Sequence, residues 1–300
     1  MRQAAPYVKK FVKQILYYAR AWEKSRTQTR VARILSQSQP PDCGYAERAF
    51  EKLQNAYPSY QAYGYDLVSL WQRAANRSLT LLGLEGMENP GKRVLEVGAG
   101  DGMLGVALKA VGHNVELIDQ EDWRHAQALG VPLTLADCCN GLPFASDSFD
   151  LSCSYNSFEH FSNPEKVFSE MLRVTKPGGW IYIEFGPLYC SPWGLHAYRA
   201  LRMPYPQFLF SAEFVSRKLK EIGIWDLGKK RTELQYLNQW KPRQFEELWR
   251  HAEVEVTQNI RHANDSELSL VERYPWSFCG RNLSLEDLTV AAIYVTAKKR

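Results

Sequence analysis

The stretch from Val94 to Gly102 constrains the fold more than any other part of the sequence, and it reads Val-Leu-Glu-Val-Gly-Ala-Gly-Asp-Gly. Its first four residues are mostly apolar β-formers, which predicts a short strand buried on both faces. The alternating glycines permit a sharp turn and let a ligand approach the backbone without meeting a Cβ. Apolar residues then recur at helical spacing. A strand, a glycine turn and a helix predict a nucleotide site, because free N–H groups at the helix start face the ligand.

The spacing of the glycines separates two kinds of nucleotide. A dinucleotide fingerprint needs Gly-x-Gly-x-x-Gly, and Met103 stands where its third glycine belongs. A nicotinamide-dependent oxidoreductase is therefore the weaker alternative, and a glycine turn that only packs a helix on a sheet is another. With Glu96 inside the strand, the string resembles motif I of the class I S-adenosylmethionine-dependent methyltransferases. That resemblance implies S-adenosyl-L-methionine as the cofactor.

The resemblance also implies which residues hold the cofactor. Its methionine ammonium group would lie near carboxylates such as Glu96 and Asp101. The motif residues expected to bind it are Glu96, Gly98, Ala99, Gly100 and Gly102.

Acidic residues end the next two predicted strands. Asp119 follows a strand over residues 115–118, about 20 residues past the glycine turn, where a carboxylate suits a ribose diol. Asp137 follows a strand over residues 133–135. In the resembled family a residue at this point accepts the adenine amino group, so Asp137 takes that role here, with Cys138 lining the pocket. Tyr155 begins the segment past the fourth strand, at the sheet edge where ligands bind.

The segment from Phe158 to Glu184 resembles the ubiquinone/menaquinone-biosynthesis-like small-molecule methyltransferases, the type 11 group. Pro164 is placed to start a helix, and the Lys-Pro-Gly-Gly at 176–179 is expected to end it. Residues 180–185 are expected to form the fifth strand. The resemblance implies an α/β fold: a doubly wound, Rossmann-like methyltransferase sheet of seven strands. We expect an antiparallel last hairpin, formed by residues 254–256 and 289–297, and a helix over 242–250.

The chain divides into a basic amphipathic N-terminal arm over 1–41, a helical cap over 42–90 and a methyltransferase core over 91–300. The arm carries nine basic residues and one acidic residue. Its net positive charge therefore exceeds the net charge of +4 of the whole chain, so the rest of the chain is net negative. Nucleic acid is therefore not an expected partner. Helical spacing over residues 7–22 predicts an amphipathic helix that caps the domain, lies on an anionic membrane surface or serves as a transit peptide.

Two aromatic regions flank the core. The helical cap, expected to be helical from about 46 to 84, carries a cluster that either covers the cofactor or packs internally: Tyr57, Tyr60, Tyr63, Tyr65 and Trp71. An aromatic, proline-rich lid insert over about 186–240 starts at the cofactor edge. Such walls suit an amphiphilic or lipid-like acceptor, although the insert could also pack on its own core. Residues 261–288 predict a second, smaller lid.

The expected chemistry is an in-line methyl transfer to a small-molecule or lipid-linked acceptor, with oxygen as the predicted atom. A hydroxyl acceptor must lose its proton, and histidine is a suitable base. His160, beside Glu159 as an orienting group, is the first candidate and His196 the second. Alignment of the reactants alone is the alternative to a base. A non-catalytic scaffold that binds S-adenosylmethionine is the alternative to an enzyme.

The six cysteines form no Cys-x-x-Cys pair, which favours a reducing compartment and implies no metal site. No apolar run approaches ~20 residues, so no transmembrane helix is expected. No secretory signal is visible, because lysines interrupt the N-terminal apolar residues. We expect a cytoplasmic protein, with peripheral membrane contact through the N-terminal helix left open.

Overall fold

The computed structural model describes residues 5–58, 64–226 and 229–300. Tyr60 and Tyr63 of the predicted aromatic cluster lie outside the described residues. The helices are α1 (Ala5–Leu35), α2 (Gly44–Arg48), α3 (Phe50–Ala56), α4 (Leu67–Leu82), α5 (Met103–Ala110), α6 (Pro164–Val174), α7 (Pro206–Leu209), α8 (Ala212–Ile222), α9 (Pro242–Arg250), α10 (Leu268–Arg273), α11 (Pro275–Phe278) and α12 (Leu285–Thr289). The strands are β1 (Arg93–Val97), β2 (Asn114–Asp119), β3 (Leu133–Leu135), β4 (Phe149–Tyr155), β5 (Thr175–Phe185), β6 (Ile224–Asp226), β7 (Lys229–Arg231), β8 (Val254–Ala263) and β9 (Val290–Lys299).

One mixed sheet organises the molecule. Its seven strands run in the order β3-β2-β1-β4-β5-β9-β8. The pairings among β1 to β5 are parallel, whereas β9 pairs antiparallel with both β5 and β8. This confirms the predicted fold class, including the antiparallel last hairpin. The strand order reverses between β1 and β4, and in such sheets the ligand crevice lies at the carboxyl ends of the strands at this switch point.

Several predicted boundaries move because strand pairing, rather than local propensity, decides them. The Lys-Pro-Gly-Gly segment lies inside β5, which begins at Thr175 and pairs with Phe149 before a register shift. Strand β8 continues to Ala263 because it pairs with β9 along its length. The single helical region expected over 46–84 is divided among α2, α3 and α4. Helix α6 begins at Pro164 as predicted, with the Asn163 side chain accepting from the Lys166 N–H.

Two apolar cores cover the two faces of the sheet. On one face α6 and α9 pack through buried side chains such as Phe168 and Trp249. On the other face α5 and the end of α4 pack through Leu104 and Leu81. Glu96 alternates with Leu95 and Val97 along β1, and therefore points to the face covered by α4 and α5.

A third core is formed by segments far apart in sequence. We call this the helical layer: the last turns of α1, then α2, α3, α7, α8, α10 and α11. Its buried side chains include Val31, Phe50, Tyr205 and Phe278. The N-terminal arm, the cap, the insert and the 261–288 stretch therefore share one apolar core. Burial of large aromatic and aliphatic groups from all four segments stabilises the layer as a unit.

Helix α1 extends past the predicted residue 22 to Leu35. Among the side chains of α1 that the structure describes, only those in its last turns are buried, and Trp22 is 64% exposed. Within the described ranges, none of the helices combines the length and apolar character that crossing a membrane requires.

Candidate active site

The glycine turn after β1 is held in a conformation that favours glycine. Gly98, Gly100 and Gly102 have φ angles of 72°, 53° and 68°. A Cβ added at Gly98 would lie 2.4 Å from the Ser157 Oγ, whereas one added at Gly100 would meet nothing within 4 Å. Gly98 is therefore required for packing, and Gly100 borders open space where a ligand can lie against the backbone.

Asp119 lies beside this turn at the end of β2. The Gly100 N–H donates to Oδ2 at 3.0 Å and the Gln120 N–H donates to Oδ1 at 2.8 Å. The Gly98 and Ala99 N–H groups both donate to the Ile118 carbonyl, which fastens the turn to β2. Burial raises the pKa of Asp119, against the lowering effect of the Gly100 N–H. Each carboxylate oxygen still has a lone pair that could accept from a ligand hydroxyl.

Asp137 and Cys138 reach the same edge of the sheet. Leu135 of β3 pairs with Asp119 of β2. Asp137 comes two residues after Leu135, and therefore lies just past the end of β3 on the side of the sheet where Asp119 ends β2. The Asp137 carboxylate accepts from the Cys139 N–H at 2.9 Å and from the Asn140 Nδ2 at 3.0 Å. Cys138 is buried, which raises the pKa of its thiol to about 12. It is therefore a neutral wall group rather than a nucleophile.

Glu96 is a buried carboxyl group at the base of the site. It is 2% exposed, its Oε2 has no hydrogen-bond partner, and burial raises its pKa to about 8. The Arg77 guanidinium opposes that rise and lies over the Tyr155 ring, 4.4 Å from the centroid. The Arg73 Nη2 lies 3.5 Å from the Asp101 Oδ2. Helix α4 thus brings two arginines to the carboxylates of the motif.

These arginines are the residues that sequence reasoning missed. Arg73 and Arg77 are spaced i, i+4 on α4, so both project toward the same side of the helix. This i, i+4 spacing was the one feature of the sequence that could have identified the two arginines. It did not indicate that α4 lies against β1.

Tyr155 takes a packing position beneath Arg77. Its hydroxyl donates to the Arg77 carbonyl at 3.4 Å, and its ring lies 5.1 Å from that of Tyr182. The side chain is 4% exposed, and burial raises its pKa well above the usual range. The structure thus brings Tyr155 to the arginine of the site rather than to the open side of the turn.

The turn over residues 157–161 joins the glycine turn to both ends of the insert. The Ser157 Oγ donates to the Gly98 carbonyl at 3.0 Å. The Gly186 N–H donates to the Glu159 Oε1 at 3.1 Å, and the Asn238 N–H donates to the Glu159 carbonyl at 3.0 Å. The first residue of the insert and a residue near its end are therefore both bonded to this turn.

The two candidate bases lie side by side. The rings of His160 and His196 are 5.0 Å apart and nearly perpendicular. The His160 Nδ1 lies 2.7 Å from the Tyr236 carbonyl, and the His196 Nε2 lies 2.7 Å from the Pro187 carbonyl. Burial, followed by the neighbouring His160, lowers the pKa of His196 to about 3, so that ring is neutral. The carbonyl of Tyr236, rather than the predicted Glu159, orients His160.

A cavity of about 560 Å³ lies in the helical layer beside His196. Leu195 lines it, as do the apolar side chains of Phe210 and Val215. Gln207 also lines it, and its buried Oε1 has no hydrogen-bond partner. The volume lies within the range of small-molecule sites. The lining combines apolar side chains with polar and charged ones, among them Ser211, Lys220, Glu233 and Arg281, and such a mixture suits an amphiphilic ligand.

Comparison with known proteins agrees with this geometry. Residues 95–183 match the family described as methyltransferase domain. An uncharacterized methyltransferase of Mycobacterium leprae (strain TN) is 30% identical over 185 residues, which cover 57% of this chain and 62% of that protein. The 2-methyl-6-phytyl-1,4-hydroquinone methyltransferase 2, chloroplastic, of Oryza sativa subsp. japonica is 32% identical over 154 residues, 46% of this chain and 44% of that protein.

Among solved structures, the phosphoethanolamine N-methyltransferase 2 of Haemonchus contortus in complex with S-adenosyl-L-methionine is 19% identical to this chain. The match has a TM-score of 0.45 and covers 75% of this chain and 52% of that chain.

The fold, the glycine turn and the family match define a class I methyltransferase domain. Residues 95–183 are similar to this family of methyltransferases, with S-adenosylmethionine as the cofactor. The chain spans 62% of the length of the Mycobacterium leprae relative and 44% of that of the rice relative.

Proposed function

We propose that this protein transfers the methyl group of S-adenosylmethionine to a hydroxyl oxygen of an amphiphilic small-molecule or lipid-linked acceptor. The observation that carries the proposal is the open side of Gly100 beside the Asp119 carboxylate, with His160 on the turn that contacts Gly98 and His196 next to His160. The cradle suits the cofactor, and the histidines suit an acceptor whose proton must leave.

We assign the cofactor to the carboxyl edge of the sheet. Asp119 accepts from the two ribose hydroxyls, since each of its oxygens keeps a lone pair. Asp137 accepts from the adenine amino group, and Cys138 lines the adenine pocket. Glu96 faces the methionine ammonium group. The backbone of Gly98, Ala99, Gly100 and Gly102 lies against the cofactor, in the role that their positive φ angles and the open side of Gly100 support.

Helix α4 supplies the counter-charge for the other end of the methionine. Arg77 lies between the buried Glu96 and the Tyr155 ring, and Arg73 pairs with Asp101. The methionine moiety carries one ammonium and one carboxylate. The bound ammonium would favour the ionised form of Glu96, and that carboxylate and the arginine beside it would then match both charges. Tyr155 contributes by supporting Arg77.

The acceptor enters from the helical layer. The cavity is lined by Leu195, which precedes His196 in the chain, and the Gln207 Oε1 supplies a polar anchor. The name of the rice relative specifies a phytyl hydroquinone, a hydroxyl-bearing ring with an apolar tail. An acceptor of that general kind places its apolar part in the cavity and its hydroxyl at the histidine pair.

The reaction is an in-line displacement at the sulfonium methyl. The enzyme aligns the acceptor oxygen, the methyl carbon and the sulfur, and it excludes water. His160 accepts the hydroxyl proton through the ring nitrogen that faces away from Tyr236. The neutral ring of His196 lies beside it and serves as the second candidate base.

Calorimetric titration with S-adenosylhomocysteine, followed by a screen of amphiphilic hydroxyl compounds with methyl-labelled cofactor, tests the proposal. We expect micromolar binding and label in the acceptor's ether product. His160→Ala should lower turnover several-hundred-fold or more, about the range for loss of a general base, with cofactor affinity retained. His251→Ala, on the exposed end of α9, is the matched control.

Turnover of His160→Ala near the wild-type value would exclude the base. Cofactor binding without turnover on any acceptor would favour the scaffold function instead. Transfer to nitrogen or carbon would correct the acceptor atom.

We further propose that α1 holds the enzyme on an anionic membrane surface, where a lipid-linked acceptor resides. The described part of α1 exposes Leu16, Tyr17, Tyr18 and Trp22 among basic residues, and Arg26 lies over the Trp22 ring. Aromatic side chains with cations suit a lipid interface. Trp22→Ala should weaken sedimentation with phosphatidylserine vesicles several-fold, whereas Leu79→Ala, equally exposed on α4, should not. Equal sedimentation of all three proteins would exclude the contact.

A further inference from the structure

Three side chains with metal-binding atoms converge beside the proposed acceptor site. One ring nitrogen from each of His160 and His196 and one carboxylate oxygen of Glu159 all lie within 4.8 Å of one another. Two imidazoles and a carboxylate form a donor set that divalent first-row metals favour in proteins. The cysteines gave no indication of this site, and its ligands come from two separate segments of the chain.

Hydrogen bonds on the far side of each ring prepare the histidines for this role. The His160 Nδ1 is bonded to the Tyr236 carbonyl and the His196 Nε2 to the Pro187 carbonyl. A carbonyl only accepts, so each bonded nitrogen carries the proton and the opposite nitrogen of each ring keeps its lone pair. Metal-binding histidines in proteins almost always donate their second N–H to a carbonyl, a carboxylate or water.

The third side chain has an oxygen to spare. Glu159 is 2% exposed, its Oε1 accepts from the Gly186 N–H, and its Oε2 has no hydrogen-bond partner among the described residues. A buried polar atom without a partner costs free energy. One nitrogen of each ring and one oxygen of Glu159 lie close enough together for a single cation to bind all three side chains.

We propose that Glu159, His160 and His196 bind a divalent first-row transition metal of the Zn²⁺ class, with at least one coordination position open. Ligand atoms on one tetrahedral Zn²⁺ lie roughly 3.3 Å apart, given Zn–N distances of about 2.0–2.1 Å. The three groups therefore need to approach by about 1.5 Å at most, which side-chain rotation can supply. The open position faces the acceptor.

The metal's role rests on the proposed function. A Zn²⁺ held by these three side chains would lower the pKa of an acceptor hydroxyl at its open position, and the hydroxyl proton would pass to bulk solvent before the acceptor is aligned with the cofactor in the water-free site. The oxygen then attacks the methyl carbon, the sulfur–methyl bond breaks, and the electron pair stays on sulfur. In a metal-free site His160 accepts the proton directly.

Metal binding by the full-length protein tests this inference without reference to turnover. The protein is stripped with a chelator, dialysed and titrated calorimetrically with Zn²⁺. We expect one equivalent bound by the wild type, and affinity lowered at least tenfold in His196→Ala and in Glu159→Gln, which preserves side-chain volume. His251→Ala should bind as the wild type does. Denaturant midpoints confirm that each variant is folded.

The same samples are titrated with S-adenosylhomocysteine. Less than about a tenth of an equivalent of Zn²⁺, or equal Zn²⁺ affinity in all variants, overturns the metal site. If S-adenosylhomocysteine still binds in that case, the proposed function stands with His160 as base. If Zn²⁺ binds and S-adenosylhomocysteine does not, the metal site stands and the cofactor assignment fails.

Discussion

The sheet and the helical layer are built by different rules. Strands β1 to β5 and the helices between them come from one continuous stretch, and every connection except that from β3 to β4 joins strands that are adjacent in the sheet. The helical layer collects Val31, Phe50, Tyr205 and Phe278 from four distant segments into one core. The cofactor edge therefore depends on local sequence, whereas the acceptor side depends on long-range packing.

This difference separates the two substrates of the proposed reaction. Asp119 and Gly100 lie on the sheet and are bonded to each other. The cavity lies in the helical layer, and Leu195 in its lining precedes His196, whose ring lies 5.0 Å from that of His160. Damage to one region should therefore leave the other substrate's binding intact, and the following variants test that independence.

The largest effect is expected in the core of the helical layer. Phe278 is fully buried, with its ring 5.5 Å from that of Tyr205. Phe278→Ala should lower the free energy of unfolding by about 3–5 kcal/mol, the usual cost of truncating a buried aromatic side chain. Acceptor turnover should fall, and S-adenosylhomocysteine affinity should change less than about twofold. Denaturant unfolding and calorimetry measure the two quantities.

Trp276→Ala, on the same helix and 51% exposed, is the control and should cost less than about 0.5 kcal/mol. A parallel loss of cofactor affinity in Phe278→Ala would show that the two regions are not independent.

Asp119→Ala should have the opposite pattern. It removes two hydrogen bonds from the ribose to a charged group, each contributing about 1.5–3 kcal/mol, so S-adenosylhomocysteine should bind at least about a hundredfold more weakly. The acceptor cavity should keep its affinity for an apolar probe. Glu121→Ala, exposed on the same loop, is the matched control in the calorimeter. Undiminished binding by a folded Asp119→Ala protein would remove the ribose assignment.

The remaining expected effect is a pH dependence at Glu96. Burial raises the pKa of Glu96 from about 4.5 to about 8, so the folded protein keeps a proton that the unfolded chain loses above pH 4.5. Stability from this group therefore falls as pH rises through that window, by at most about 1.4 kcal/mol per pH unit. The Glu96→Gln side chain does not ionise, so its stability lacks this pH dependence. The unfolding free energy of Glu96→Gln relative to that of the wild type should therefore increase between pH 5 and pH 8.

Denaturant unfolding at pH 5, 6.5 and 8 measures that difference, with Glu121→Gln as the exposed control. Parallel curves for Glu96→Gln and the wild type would mean that the Glu96 carboxyl is already ionised, with Arg77 as its counter-ion.

Sequence reasoning worked where one short segment holds all the information. The glycine turn, Asp119 at the end of β2 and Pro164 at the start of α6 each follow from local geometry. Sequence reasoning failed where pairing between strands decides where an element begins or ends. Lys-Pro-Gly-Gly reads as a helix stop, yet these residues extend β5 because β4 lies beside them.

The sequence by itself determined the class of fold, the cofactor and the positions of the acidic strand ends, because strand–turn–helix units pack in chain order. Only the tertiary structure decided the neighbours of the buried carboxyl groups. It placed Arg77 over Tyr155, and it brought His196 to Glu159 and His160 across the insert. Such contacts depend on how separate elements pack together, and no local spacing encodes them.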